Sequence, residues 1–316
     1  MFRFGMVGAG AIGSYHKTAL LAHPECELTA VCDIVEENAR IIAEDIGARV
    51  YTDYKKMQEA EQLDAVILNL PHFLHKEVSL YFLERKVAVL VEKPMALNVK
   101  ECDEMMAAAE KTNTVFAIGH VQRYMECYRK VKELYEGGEL GKFCAMTEVR
   151  NCDYFTNRPR WFVQKAKSGG GIVMNYCAHT LDKMFYTLGV EVEKVTAYGT
   201  NFLNDEDVEA TAQILLQLKG GASAAFTFSG CKVPNQYETN FYFTKGAAKI
   251  EAGNYLWLSK NGEPFQRIDL DYDKEFMPAQ LVEFVKLLKG EENEMVTPAY
   301  GREVIRVLDE VFAQIG

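Results

Sequence analysis

The sequence predicts an α/β protein of two domains, a doubly wound parallel sheet followed by an α+β domain with a large, mainly antiparallel open sheet. In residues 1–120, short apolar runs without polar alternation are separated by helical patterns, which is typical of parallel strands covered on both faces. From Val192 to Leu270, short strands follow one another with hairpin signals between them. A length of 316 residues suits two domains, which we place at 1–120 and 121–316.

The first strand, Phe2 to Val7, leads into a glycine-rich turn that reads Gly8-Ala9-Gly10-Ala11-Ile12-Gly13. In a turn of this spacing, Gly8 allows the chain to bend tightly, Gly10 lets the backbone approach a pyrophosphate, and Gly13 lets the helix pack on the strand. The helix that begins at Ala11 and Ile12 offers unpaired N–H groups to phosphates. The pattern predicts a Rossmann domain that binds a dinucleotide.

The second strand, Leu28 to Cys32, ends at Asp33, which lies 20 positions after the last glycine of the turn. A carboxylate at this place accepts hydrogen bonds from the adenosine ribose and repels a 2′-phosphate. The sequence therefore favours NAD over NADP.

The rest of the first domain alternates strands and helices. The predicted strands are Ala48 to Tyr51, Leu63 to Leu68, Val87 to Val91 and Val115 to Ile118, and the predicted helices are Glu36 to Ile46, Leu74 to Arg85 and Val99 to Lys111. Ligands bind beyond the carboxyl ends of parallel strands. The polar and turn residues that follow these ends are Asn69, Pro71, His72, Glu92, Lys93, His120 and Arg123. We expect the ammonium of Lys93 to point into a cleft between the domains.

The second domain opens with a predicted helix, Tyr124 to Tyr135, and a strand, Lys142 to Arg150. A polar loop follows, and Gly169-Gly170-Gly171 then opens a helix that runs through Leu188. The later strands are Val195 to Thr200, Glu209 to Leu218, Ala222 to Ser229, Tyr237 to Thr244, Ala248 to Glu251 and Tyr255 to Ser259, and the helices Pro278 to Lys289 and Pro298 to Gln314 close the chain.

Composition narrows the class of protein. A net charge of −10 argues against binding to nucleic acid or to an anionic membrane. The N-terminus has no signal-peptide pattern and no apolar run reaches membrane-spanning length, so we expect a cytoplasmic protein. The eight cysteines are scattered and are expected to be reduced thiols, and no His or Cys spacing indicates a metal site.

Several motifs together resemble the Gfo/Idh/MocA family of NAD(P)-dependent oxidoreductases, which act mostly on sugars and cyclitols. They are the glycine turn, Pro71-His72-Phe73-Leu74-His75, Glu92-Lys93-Pro94, Gly119-His120-Val121-Gln122-Arg123-Tyr124, the triple glycine with His179 and Asp182, Thr244-Lys245-Gly246 and Val296-Thr297-Pro298-Ala299-Tyr300-Gly301. The resemblance covers essentially the whole chain.

The resemblance implies that Lys93 reaches the nicotinamide ribose and the substrate, and that His179 donates or accepts a proton. The family usually carries an acid and a glycine where this chain has Asn175 and Cys177. Asparagine orients a hydroxyl but cannot take a proton. Imidazole, with an ordinary pKa of about 6.5, is a competent general base near neutral pH.

Other candidates have two readings each. His72 and His75 line the nicotinamide site or only cap a helix, and Asp182 orients His179 or forms a solvated ion pair. Arg123 contacts substrate or is structural. Tyr154, Arg158 and Trp161 lie in the polar loop and form a surface for a sugar ring, or Trp161 serves packing.

The resulting expectation is an NAD-dependent dehydrogenase for a sugar, polyol or inositol-like substrate, assembled as a homodimer or homotetramer. The alternatives are a non-catalytic NAD-dependent sugar sensor and a redox-neutral enzyme in which NAD assists glycoside cleavage or elimination.

Overall fold

A computed structural model of the chain describes residues 1–156, 158–201, 206–270 and 276–315. The strands are β1 (Phe2–Val7), β2 (Cys26–Cys32), β3 (Arg49–Tyr51), β4 (Ala65–Leu68), β5 (Ala88–Glu92), β6 (Phe116–Gly119), β7 (Phe143–Asn151), β8 (Val192–Thr200), β9 (Thr211–Leu218), β10 (Ser223–Ser229), β11 (Gln236–Phe243), β12 (Gly246–Glu251), β13 (Tyr255–Lys260) and β14 (Gln266–Arg267). The helices are α1 (Ala11–Ala22), α2 (Glu36–Ala43), α3 (Tyr54–Ala60), α4 (His75–Leu83), α5 (Val99–Thr112), α6 (Glu126–Glu136), α7 (Lys165–Ser168), α8 (Ile172–Leu188), α9 (Phe276–Lys289) and α10 (Pro298–Ile315). Short 3-10 turns lie at His72–Leu74, Val121–Tyr124 and Arg160–Val163.

The chain divides into two compact units. The first comprises Met1–Val121 and Glu275–Ile305, and the second comprises Gln122–Lys274 and Arg306–Gly316. In this division, α9 and the start of α10 are grouped with the first unit. The predicted domains, 1–120 and 121–316, stay a prediction.

The first unit is a six-stranded parallel sheet in the order β3-β2-β1-β4-β5-β6, which confirms the doubly wound prediction. The strand order reverses between β1 and β4, the place where such sheets bind ligands. The returning helix α9 contributes to the core, where the ring of Phe284 meets Phe4 edge-on with centroids 6.2 Å apart. Burial of that apolar face explains why a distant segment belongs to this unit.

The short helix α3 has no counterpart in the sequence prediction. Asp53 begins it by accepting hydrogen bonds from the N–H groups of Lys55 and Lys56, and Met57 is its one buried residue. Seven residues with a single buried position are too short for a helical period to stand out.

The second unit is an eight-stranded sheet in the order β14-β13-β12-β11-β7-β10-β9-β8. Its pairs are antiparallel except β7 with β10, which confirms the mainly antiparallel prediction. Asn261 and Gly262, predicted as a hairpin turn, both have a positive φ as such a turn requires. The helix α8 packs on β7, β9 and β10.

Within the described ranges, no helix combines the length and apolar character that a membrane crossing requires. All eight cysteines are free thiols.

Candidate functional site

The glycine turn joins β1 to α1 in the geometry that its sequence predicts. Gly8 has φ +94°, and a Cβ there would lie 2.3 Å from the carbonyl oxygen of Asn69. Gly13 packs on the strand, since its Cβ would lie 3.3 Å from Sδ of Met6. A Cβ on Gly10, by contrast, would meet no atom of the described residues within 4 Å. Open space beside the backbone at Gly10 is what a bound pyrophosphate needs.

Asp33 and Asn69 flank this turn from the ends of β2 and β4. Oδ2 of Asp33 accepts a hydrogen bond from the N–H of Ala9 at 2.8 Å, and Oδ1 accepts one from Val35 at 2.9 Å. Nδ2 of Asn69 donates to the carbonyl of Gly8 at 3.3 Å. Oδ1 of Asn69 is buried and has no hydrogen-bond partner in the part of the chain that the structure describes.

These features fit a dinucleotide. The space at Gly10 accepts the pyrophosphate, and the first N–H groups of α1, at Ala11 and Ile12, lack a capping side chain. A carboxylate oxygen has two lone pairs, so Asp33 retains acceptor capacity for ribose hydroxyls. The buried Oδ1 of Asn69 is an acceptor that a ligand would satisfy.

Glu92, at the end of β5, is held by a residue that the sequence analysis missed. Nε2 of His16, on α1, lies 2.8 Å from Oε1 of Glu92, and both side chains are buried. A Cβ on Gly119 would lie 3.2 Å from the same carboxylate, which is a close approach. His16 follows Gly13 by three residues on the inward face of α1, a position that its helical spacing could have revealed.

The carboxylate of Glu92 also faces the charge of Lys93. Burial raises the pKa of Glu92, but the hydrogen bond with His16 and the charges of His16 and Lys93 outweigh burial and lower it. Lys93 is partly exposed, at the carboxyl end of the strand as predicted. The Lys93-Pro94 peptide bond is cis.

His75 is enclosed between the loops after β4 and β5, and its role in the cofactor site stays a prediction. Its ring is fully buried, with Nδ1 2.8 Å from the carbonyl oxygen of Pro94 and Nε2 2.8 Å from that of Leu70. Burial lowers the pKa of this imidazole. His75 therefore links the loops after β4 and β5. His72, in the 3-10 turn after Pro71, is also buried and lies beside the His75 ring.

In the second unit, the triple glycine leads into α8, and neighbouring atoms leave little room for side chains at Gly170 and Gly171. The carboxylate of Glu209 accepts hydrogen bonds at 2.8 Å from the N–H groups of Gly171 and Val173. A Cβ on Gly171 would lie 2.4 Å from the backbone oxygen of Glu209, and one on Gly170 would lie 2.4 Å from the Phe312 ring. These close contacts fix where α8 starts and hence where its polar residues lie.

Asn175 and His179 are one turn apart on α8, and each is 8% exposed. The Asn175 side chain hydrogen-bonds the hydroxyl of Tyr154, which also donates to the carbonyl of Gly171 at 3.0 Å. Tyr154 is fully buried, and burial raises its pKa. Tyr154 thus positions Asn175 and the start of α8, and its role as a substrate contact stays a prediction.

Arg123 and Asp182 form a buried ion pair. Nε and Nη2 of Arg123 both donate to Oδ1 of Asp182, the first at 3.0 Å, and the two residues are 5% and 0% exposed. The pair is buried rather than solvated, and Arg123 as a substrate contact stays a prediction. The pair ties α8 to the 3-10 turn after β6.

Trp161 is partly exposed and stacks on Phe162 with ring centroids 3.8 Å apart. Its role as a substrate contact stays a prediction.

A second buried pair lies on the sheet-facing side of α8. Nζ of Lys183 lies 2.8 Å from Oε2 of Glu148 on β7 and 2.5 Å from the hydroxyl of Tyr237 on β11. Thr180 and Thr239 donate their hydroxyls to the same carboxylate. This network, which the sequence analysis did not find, anchors α8 to the centre of the sheet.

Across the described residues, no group of three or more His, Cys, Asp or Glu side chains is placed to hold a metal ion.

Comparison with known proteins agrees with this architecture. The sequence profile of the Gfo/Idh/MocA oxidoreductase family with an NAD-binding Rossmann fold matches residues 2–120, and the profile of the Gfo/Idh/MocA C-terminal domain matches residues 128–249.

Two relatives and one solved structure are similar over most of the chain. A 2,7-anhydro-N-acetylneuraminate hydratase from Mediterraneibacter gnavus is 28% identical over 78% of this chain and 67% of its own. A myo-inositol 2-dehydrogenase from Thermotoga maritima is 29% identical over 70% of this chain and 66% of its own. The chain thus spans about two thirds of these relatives' lengths.

The structure of a levoglucosan dehydrogenase in complex with NADH superposes with a TM-score of 0.90 at 17% identity, over 99% of this chain and 96% of that one. That likeness concerns the fold. Together with the two matched profiles and the geometry of the glycine turn, it leads to one conclusion: the chain belongs to the Gfo/Idh/MocA family of oxidoreductases with an NAD-binding Rossmann domain.

Proposed function

We propose that this protein transfers a hydride between NAD and a CH–OH carbon of a sugar, polyol or inositol-like substrate. The observation that carries the proposal is the turn around Gly10, where open space, the start of α1 and the anchored Asp33 carboxylate together fit a dinucleotide. The myo-inositol dehydrogenase among the relatives supports the substrate class.

The chain's own residues supply binding and proton transfer. When bound, NAD supplies the hydride acceptor at its nicotinamide ring. His179 removes the proton of the reacting hydroxyl, and Lys93 donates a hydrogen bond that stabilises the developing negative charge on that oxygen. Asn175, held by Tyr154, orients a substrate hydroxyl and takes no proton. In the reverse direction the same groups reduce a carbonyl.

The cofactor is NAD rather than NADP. The carboxylate of Asp33 is fixed by two backbone N–H groups, and the next residue, Ile34, is 91% exposed and offers an apolar surface to adenine. The nearby Arg40 forms an ion pair with Glu36 on α2, so its positive charge is already balanced without a phosphate. A 2′-phosphate would therefore meet a negative charge.

The test is NADH fluorescence during incubation of the purified protein with NAD and a panel of polyols, inositols and aldoses, with NADP in parallel. We expect signal growth with one compound class and with NAD. Lys93→Ala should reduce turnover by about 100-fold or more while NAD affinity is retained. The matched control is Lys100→Ala, an exposed lysine on α5, which should keep full activity. Unchanged turnover in Lys93→Ala would overturn the assignment.

A redox-neutral reaction is the second candidate, because a relative at 28% identity is named a hydratase. In such a reaction the hydride returns to the substrate, so product forms while no NADH accumulates. Mass spectrometry of the sugar alongside NADH fluorescence separates the two reactions. Tight NAD binding with neither product nor NADH would favour the non-catalytic sensor. The expected homodimer or homotetramer is a separate prediction, which light scattering tests.

A further inference from the structure

Two arginines of the second unit converge on Tyr176 of α8. The guanidinium carbon of Arg150, near the end of β7, lies 3.6 Å from the centroid of the Tyr176 ring and 4.3 Å from that of Tyr237. Nη2 of Arg158, in the following loop, donates to the hydroxyl of Tyr176 at 2.7 Å, and its Nε donates to the carbonyl of Tyr154 at 2.8 Å. Two positive charges therefore flank one phenol.

Neither arginine has a carboxylate partner within the described ranges, unlike Arg123 with Asp182 and Lys183 with Glu148. Nη1 of Arg150 is buried and has no hydrogen-bond partner among the described residues. A buried guanidinium N–H without a partner is costly, and two cations held close without a counterion repel each other. The two arginines thus lack a negatively charged partner among the described residues.

Three acidic residues of this unit do not supply that charge, and the first, Glu148, two positions before Arg150 on β7, is already paired with Lys183. Glu209 is occupied by backbone N–H groups at the start of α8, and Asp153 is exposed and accepts from the N–H of Thr156. Burial raises the pKa of Tyr176, and the charges of Arg158 and Arg150 oppose that rise. The phenol is thus not a counterion either.

The geometry leaves the edge of the Arg150 guanidinium for a ligand. The rings of Tyr176 and Tyr237 lie 3.6 and 4.3 Å from its central carbon and restrict its rotation, while its N–H donors point outward in the plane of the group. A fixed guanidinium edge matches the paired oxygens of a carboxylate or phosphate. Arg150 and Arg158 are both partly exposed, so a solute can reach part of each residue, although Nη1 of Arg150 is itself buried.

The arginines lie beside the polar residues of α8. Tyr176 directly follows Asn175 and precedes His179 by three positions, and residues three apart on a helix have Cβ atoms about 5–6 Å apart. That span is comparable to one sugar ring. An anionic substituent held at Tyr176 can belong to the same sugar whose hydroxyl meets His179.

We propose that Arg150 and Arg158 form an anion subsite, which selects sugars that carry a carboxylate or a phosphate over their neutral analogues. The inference rests on the proposed sugar oxidoreductase function and narrows its substrate class. Binding of the anionic group does not itself depend on hydride transfer, so the two proposals can fail separately.

The experiment compares matched sugars that differ only in charge. Each set contains a neutral aldose or inositol, its uronic or aldonic acid where one exists, and its phosphate ester. Affinity is measured by calorimetry in the presence of NAD, and turnover by NADH fluorescence. We expect a charged member of at least one set to bind about tenfold or more tighter than its neutral analogue. Whether the acid or the phosphate ester binds more tightly shows whether the subsite takes a carboxylate or a phosphate.

The variants are Arg150→Gln and Arg158→Gln, with Lys167→Gln as control, which removes an exposed charge from the same loop region. Each arginine variant should weaken binding of the charged sugar about 10- to 100-fold and leave the neutral analogue within about twofold. The control should change neither. Thermal unfolding and NAD affinity verify that the variants are folded.

The subsite would be overturned if the protein preferred no charged sugar in any set. It would also be overturned if folded arginine variants lost equal affinity for charged and neutral sugars. Selective binding of a charged sugar without NADH or product formation would uphold the subsite and refute the oxidoreductase proposal. If Lys167→Gln lost as much affinity for the charged sugar as the arginine variants, the effect would be one of general surface charge. That result would also overturn the subsite.

Discussion

Replacing Lys183 by methionine tests whether the buried ion pair under α8 stabilises the second unit. The side chains of Lys183 and Glu148 are both 0% exposed. Methionine keeps the apolar stem but removes the ammonium, which leaves the Glu148 carboxylate buried with only the hydroxyl donors of Thr180 and Thr239. Removing one partner of a buried pair costs about 3–5 kcal/mol, because the remaining charge is uncompensated. We expect that loss in the free energy of unfolding.

The fluorescence of tryptophan measures this unit alone, since both tryptophans, Trp161 and Trp257, belong to it. Urea unfolding should show a lower midpoint and an unchanged slope. The control is Lys132→Met, which breaks a more exposed pair with Glu136 on α6 and should cost no more than about 0.5 kcal/mol.

The pH dependence gives an independent check. Burial lowers the pKa of Lys183, but the charge of Glu148 and the hydrogen bonds with Glu148 and Tyr237 outweigh burial and raise it above 10.5. Because the folded-state pKa lies above the unfolded one, this stabilisation is complete below the unfolded pKa and is lost as the pH rises through the folded value. The difference between wild type and variant should therefore narrow only in strong alkali.

A double variant decides whether the two side chains act as a pair. Glu148→Gln with Lys183→Met removes both charges and should cost less than the sum of the single changes. A loss below about 1 kcal/mol for Lys183→Met, or strictly additive costs, would refute the reasoning.

Three further predictions concern the first unit. Gly10→Ala should lower NAD affinity about tenfold or more at unchanged thermal stability. Gly8→Ala should instead lower the melting temperature, because its Cβ would meet the Asn69 carbonyl. Equal effects of the two variants on the melting temperature would contradict the roles given to these glycines. Asp33→Asn should raise NADPH affinity relative to NADH about tenfold in fluorescence titrations, and an unchanged ratio would argue against its role in cofactor choice. Because burial lowers the pKa of His75, the free energy of unfolding should fall as the pH drops below about 6.5. Calorimetry should show a smaller fall in His75→Gln. Equal falls in the two proteins would show that His75 is not the responsible group.

The residues of the glycine turn and of the parallel strands could be predicted because their signals are local. Gly8 needs a positive φ, and the buried strands are continuously apolar, so a few adjacent positions suffice. Three of the predicted site residues, His75, Arg123 and Tyr154, are polar groups with hydrogen-bond partners elsewhere in the chain. A sequence shows that such groups exist but not whether a backbone carbonyl, a carboxylate or a ligand satisfies them.

By itself, the sequence determined most of the order of strands and helices, the dinucleotide turn and the resemblance to a family, because periodicity and glycine spacing act over short distances along the chain. The tertiary structure alone decided that α9 packs in the first unit, that His16 holds Glu92, and that Lys183 and Glu148 meet under α8. It also showed that Arg150 and Arg158 share Tyr176 without a counterion among the described residues. Such pairings depend on how helices and strands pack, since burial and electrostatics act between groups that are near in space but distant in sequence.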